Sequence, residues 1–86
     1  MRIFRAQAYV TLKEGVLDPQ GQTVQGALRS LGYAEVDEVR IGKFIEIKLE
    51  AQDETSARRA VEEMCERLLA NPVLERYRVE IEEDGA

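Results

Sequence analysis

The chain has 86 residues, 44% hydrophobic and 34% charged, with 17 acidic against 12 basic side chains and a net charge of −5. That length holds one domain, residues 1–86, with a thin core, because so short a chain buries only about 60–65% of the surface its unfolded form exposes. Net acidity excludes a nucleic-acid partner, which needs a clustered basic face, and no apolar run approaches the roughly 20 residues that span a bilayer. The single cysteine excludes an internal disulfide and fits a reducing compartment. Met1-Arg2-Ile3-Phe4-Arg5 passes directly into a strand pattern without an apolar signal region, so a cytoplasmic location is expected.

Residues 4 to 12 alternate with a period of two. Phe4, Ala6, Ala8, Val10 and Leu12 share one face and Arg5, Gln7, Tyr9 and Thr11 the other, which predicts a strand with one side buried. The run Lys13-Glu14-Gly15-Val16-Leu17-Asp18-Pro19-Gln20-Gly21 then supplies turn and helix-start chemistry, with no nucleophile and no phosphate cradle. Asp18 is placed to cap a helix and Pro19 suits its first position. Val24, Ala27, Leu28 and Leu31 follow at the i, i+3, i+4, i+7 spacing of one helical face. Gly26, awkward inside a helix, is expected to mark close packing against a sheet, and Gly32 to end the helix in a left-handed cap.

Residues 36–41 and 44–49 read as two strands joined by a tight turn at Gly42-Lys43, with Val39 and Ile41 sharing a face with Ile45, Ile47 and Leu49. Phe44 falls on the opposite face. A second helix is predicted from Asp53, its N-cap, with an apolar stripe of Ala57, Ala60, Val61, Met64 and Leu68 and with Cys65 and Leu69 at the margin. It ends by Ala70-Asn71, where Asn71 tolerates a left-handed cap and Pro72 disfavours helix at the preceding residue. Tyr77, Val79 and Ile81 then alternate in a last strand, and residues 82–86 are expected as a frayed acidic tail. The order β-α-β-β-α-β is the split βαβ, ferredoxin-like arrangement of the α+β class: an antiparallel sheet with two helices on one face and the other face open. Tyr9 and Phe44 on that open face are the residues expected at a dimer interface.

Chemistry is nearly absent. Without histidine the chain lacks the usual general base and metal ligand. Cys65 sits mid-helix among Glu62, Glu63 and Glu66, whose charges raise a thiol pKa and disfavour the reactive thiolate. Neither a Cys/His cluster nor a carboxylate loop of metal-binding spacing is present. Fold alone cannot decide function among families of this order. An acylphosphatase needs a glycine-rich anion cradle with arginine where this chain has Glu14 and Asp18, and an RNA-recognition domain needs exposed aromatics on a basic surface.

Gly15-Val16-Leu17-Asp18-Pro19-Gln20-Gly21, Leu31-Gly32-Tyr33, Val39-Arg40-Ile41-Gly42-Lys43 and Met64-Cys65 through Leu69-Ala70-Asn71-Pro72-Val73, with Glu75 and Tyr77, resemble the PurS family. This is the small subunit of multi-subunit phosphoribosylformylglycinamidine (FGAM) synthase, and the likeness runs in order from about residue 4 to 81. The resemblance implies a non-catalytic subunit that dimerises, or assembles further, and joins a glutaminase subunit to a synthetase subunit, so that ammonia from glutamine reaches ATP-activated formylglycinamide ribonucleotide. It implies no cofactor on this chain, with ATP and magnesium on the synthetase partner.

The residues expected to dock partners are Lys13, Gly15, Val16, Leu17, Asp18, Pro19, Gln20 and Gly21, with Arg40 and Lys43 as polar anchors and Asn71-Pro72 as a second rigid corner. Turn and helix-end chemistry alone would equally place Asp18, Pro19, Gly42, Asn71 and Pro72 where they are. A homodimeric small-ligand-sensing domain of ferredoxin-like type is the alternative function.

Overall fold

Strict alternation near the N-terminus forms a strand with one buried face, and the other two strands flank it. The computed structural model describes residues 1–84. In chain order it contains β1 (Arg2–Leu12), α1 (Pro19–Ser30), β2 (Gly42–Ala51), α2 (Glu54–Met64) continued by a π-helical turn (Cys65–Leu69), and β3 (Glu75–Glu83). The three strands pair antiparallel in the order β2-β1-β3. Ala6 lies opposite Ile47 on one side and Ile81 on the other, and Tyr9 opposite Phe44 and Arg78.

Phe4, Ala6, Ala8 and Val10 are the buried residues of β1, each at most 1% exposed. The two alanines leave room for α2 to lie close on the sheet, and Val61 and Cys65 fill that space against Ala6, Ala8 and Val79. Phe4 closes the other end of the core against Ala51 and Ala57. Burial of this kind is what holds so short a chain together.

Both expected helix starts form. Asp18 accepts the Gly21 N–H at 2.9 Å and Asp53 the Ser56 N–H at 2.8 Å, satisfying amides that lack partners in a first helical turn. At the end of α1, Gly32 takes φ +106° and Tyr33 N–H returns to Leu28 O at 3.1 Å, the Schellman arrangement that glycine makes cheap.

The buried stripe of α2 is Ala57, Val61 and Cys65, so Cys65 lies at its centre rather than its margin. Ala70 N–H bonds Cys65 O at 3.0 Å. This i+5 closure inserts a residue into the turn, which half-buries Leu69 and buries Ala70 while Leu68 is 83% exposed. Asn71 is not left-handed: no non-glycine residue among those described has positive φ, and Ala70 leaves the helix in extended backbone.

The α+β class, the antiparallel sheet and the two helices stand. Residues 36–41 hold the place of the second strand in the β-α-β-β-α-β order but form no ladder. The tight turn at Gly42-Lys43 is absent because Gly42 already belongs to β2, opposite Thr11. A Cβ there would meet Val10 O at 2.3 Å, so only glycine allows that pairing. The Ile41 N–H is taken by Asp18 instead of a strand.

Nor does α1 lie on the sheet. Gly21 is its only buried residue, and Val24 and Leu31 are exposed. A Cβ on Gly26 would meet nothing within 4 Å, so close packing is not the reason for that glycine. The helix extends from the end of the sheet and gives the chain extents of 51 × 31 × 14 Å and a radius of gyration of 16.5 Å, against about 12 Å for a compact chain of this length.

The acidic end is not frayed through Asp84. Glu82 and Glu83 are in β3, and Asp84 N–H bonds Ile3 O at 2.8 Å. Gly85 and Ala86 of the expected tail lie outside the described residues. Among the described residues no helix is long and apolar enough to cross a membrane.

Candidate partner-docking site

Asp18 organises one end of the sheet. One carboxylate oxygen caps α1 through Gly21, and the other accepts the Ile41 N–H at 2.8 Å. Arg40 Nε stands 3.9 Å from the same oxygen. The bonds from Ile41 and Gly21, with the Arg40 charge adding, hold this carboxyl below the usual carboxylate range. Asp18 thus clamps the loop after β1, the start of α1 and the strand-like connection into β2. Gly21 makes the clamp possible, since a Cβ there would sit 2.2 Å from Val39 O.

Arg40 locks the clamp to the sheet. Its guanidinium donates to Leu12 O at 2.7 Å and Lys13 O at 3.2 Å, covering carbonyls where β1 ends. Lys13 N–H reaches Leu74 O at 2.9 Å, which ties the loop to the segment before β3. Gly15, at φ +84°, forms the turn that Val16 N–H closes on Lys13 O.

The second expected corner adjoins the first. Asn71 Oδ1 accepts from Val73 N–H at 3.0 Å, and Asn71 O accepts from Leu74 and Glu75. Glu75 returns the contact by accepting the Asn71 N–H at 2.7 Å. Pro72 stands exposed within this turn. Lys43 donates to Leu69 O at 3.0 Å and stands 3.9 Å from Glu75.

Lys13, Gly15, Asp18, Gly21, Arg40, Lys43 and Asn71 therefore meet in one braced corner, with Pro19 and Gln20 exposed on the first turn of α1. Leu17, Val73 and Leu74 stand on this corner 65%, 76% and 45% exposed. Sequence reasoning passed over Val73 and Leu74 because they belong to no periodic element. It also passed over the second role of Asp18, because the Ile41 amide lies 23 residues away.

Tyr9 and Phe44 meet on the open face, ring centroids 5.2 Å apart. The Arg78 guanidinium lies 4.1 Å over the Tyr9 ring, a cation–π contact, and also pairs with Glu80, to which the Tyr9 hydroxyl donates at 3.3 Å. Glu46 lies next along this face, two strands from Glu80 across Gln7. Burial, then Glu62 and Glu66, push the Cys65 thiol up, away from nucleophilic use. Among the described residues no group of three or more His, Cys, Asp or Glu side chains could hold a metal ion.

The family model for PurS, phosphoribosylformylglycinamidine (FGAM) synthase, matches residues 5–83. A phosphoribosylformylglycinamidine synthase subunit PurS of Bacillus subtilis (strain 168) is 53% identical over 81 residues, 94% of this chain and 95% of the relative. The structure of B. subtilis PurS superposes with a TM-score of 0.83 at 54% identity, covering 93% of this chain and 99% of that one. A chain in the structure of PurLQS from Thermotoga maritima superposes with a TM-score of 0.84 at 36% identity, covering 96% and 99%. A match of this extent spans the clamped loop, the sheet and the second corner alike, and the chain belongs to the PurS family of FGAM synthase.

Proposed function

We propose that this chain is the small, non-catalytic subunit of an FGAM synthase in purine biosynthesis, acting as a homodimer that joins a glutaminase subunit to a synthetase subunit. ATP and magnesium belong to the synthetase, which activates the amide oxygen of formylglycinamide ribonucleotide for displacement by ammonia. Holding the two centres in a fixed relation raises the effective concentration of ammonia at its acceptor. The likeness to a chain of a PurLQS structure supports this role.

The observation that carries the proposal is the corner built on Asp18. Its polar groups are committed to one another, while Leu17, Val73 and Leu74 are left facing outward. A rigid, internally satisfied surface with exposed apolar side chains suits docking, since little ordering is needed on contact. The absence of histidine from the sequence and the raised thiol of Cys65 fit a subunit without chemistry of its own.

The test uses purified glutaminase and synthetase subunits. FGAM formation from glutamine should require this chain, while formation from added ammonium should proceed without it. Equal glutamine-dependent rates with and without the chain, and no co-elution on a sizing column, would overturn the proposal.

A further inference from the structure

Side chains on the open face fall into rows across the three strands, because every second residue of a strand points the same way. Thr11 lies opposite Arg76, and Tyr9 lies between Phe44 and Arg78. Next come Gln7 between Glu46 and Glu80, then Arg5 between Lys48 and Glu82. Acidic side chains thus begin only at the third row. The two rows nearest the Asp18 corner hold two arginines, two aromatic rings and no carboxylate.

Three of the four basic residues on this face have a carboxylate within the chain: Arg5 and Lys48 stand 3.5 and 3.3 Å from Asp84, and Arg78 pairs with Glu80. Arg76 has none among the described residues. Its Nε donates to Thr11 Oγ1 at 3.4 Å, and its terminal N–H groups meet no acceptor. With 17 acidic against 12 basic side chains in the sequence, a shortage of carboxylates is not the reason. Arg78 is already held in place by the Tyr9 ring, 4.1 Å from its guanidinium, so little ordering is left for a partner to impose. Tyr9, Thr11, Arg76, Tyr77 and Arg78 line a cleft of about 510 Å³. The apolar part of the corner adjoins it: Lys13 N–H holds Leu74 O, which sets the exposed Val73 and Leu74 just ahead of Arg76.

We propose that this end of the open face receives an acidic segment of a partner subunit, its carboxylates on Arg76 and Arg78 and its apolar side chains on Val73 and Leu74. This rests on the bridging role proposed above and gives its docking surface a chemistry. A guanidinium offers its donors as a planar fork that matches a carboxylate, and on Arg76 that fork is unoccupied. Arg78 shares its fork with Glu80, which makes Arg76 the primary contact. Arginine and tyrosine are the side chains on which binding energy concentrates at interfaces, and here both stand beside an apolar patch. Two copies of this chain meeting at this end would set arginine against arginine, so a different, acidic chain suits it better. The net charge of −5 repels such a segment at long range, and the local contact with Arg76 must outweigh that repulsion.

The test measures binding of the full chain to purified glutaminase and synthetase subunits, each alone and both together. Arg76→Glu should raise the dissociation constant for a partner roughly tenfold or more, and Arg76→Gln should raise it by a smaller factor. The gap between wild type and Arg76→Glu should narrow as salt rises from about 50 mM to about 500 mM, since screening weakens both the attraction and the introduced repulsion. Unchanged circular dichroism and unchanged sedimentation of the isolated variants separate this from loss of fold or of self-association. A wild-type chain that binds a partner no better than Arg76→Glu does would overturn the acidic-segment surface and leave the bridging role standing. A reversal that alters sedimentation of the isolated chain but not partner binding would make a second copy the occupant, and so overturn it too. A wild-type chain that binds neither subunit at any salt concentration would overturn the bridging role itself.

Discussion

Asp18 has two duties, and its neighbours make each visible. Capping α1 needs one acceptor oxygen; holding Ile41 needs the other. Asp53 caps α2 through a single backbone donor, Ser56. Asp18→Ala should therefore lower the denaturation midpoint more than Asp53→Ala, since it frees a cap and also leaves the Ile41 amide without its partner. The Asp18 carboxyl is held below its unfolded value by bonds from Ile41 and Gly21, so its stabilising contribution is complete above the unfolded carboxylate pKa and is lost as pH falls through the folded one. Stability measured down an acid series should decline less steeply in Asp18→Ala than in the wild type. Asp18 was legible as a cap from Asp-Pro and the helical spacing that follows; its grip on Ile41 was not, because that contact depends on where the chain returns.

The elements divide by how local their determinants are. β1, α1, β2, α2 and β3 all arise where periodicity places them, since alternation and the 3.6-residue repeat are written in consecutive residues. Residues 36–41 have the alternation of a strand yet form none, because the tight turn that would fold them back onto β2 does not form. Gly42 is already paired with Thr11, and Ile41 is held by Asp18. The π-helical turn after Met64 was equally illegible: one inserted residue exchanges Leu68 for Leu69 on the buried side. Gly26 yields a prediction at this scale. It lies on the side of α1 away from Val24, Leu28 and Leu31, and nothing crowds its Cβ position. Gly26→Ala should stabilise the chain by up to about 1 kcal/mol in chemical denaturation, whereas a helix packed closely at that position would be destabilised.

At the scale of the whole molecule the core is thin and the shape long. Burial centres on the face of β1 beneath α2, while Val24, Leu31, Phe44, Met64 and Leu68 stand exposed. A chain so built gains by association, and mass action ties its stability to concentration. Raising the protein concentration a hundredfold should lift the thermal midpoint by roughly 5–10 °C, as expected for a dimer of this size. A midpoint independent of concentration would leave the long shape unexplained by self-association. On the open face Arg78 lies over Tyr9 and Tyr9 against Phe44, so the two residues expected at a dimer interface touch one another.

The sequence by itself determined three of the strands and both helices, the helix caps at Asp18 and Asp53, the buried face of β1, the glycine stop at Gly32 and the family, because each depends on residues near one another or on their order along the chain. Only the tertiary structure decided that α1 stands off the sheet, that the segment 36–41 is held through Ile41 by a carboxylate instead of a strand, and that Arg58 of α2 reaches the Val79 carbonyl of β3. Those outcomes depend on which groups from distant segments reach a given hydrogen-bonding partner first, and spacing along the chain carries no record of that competition.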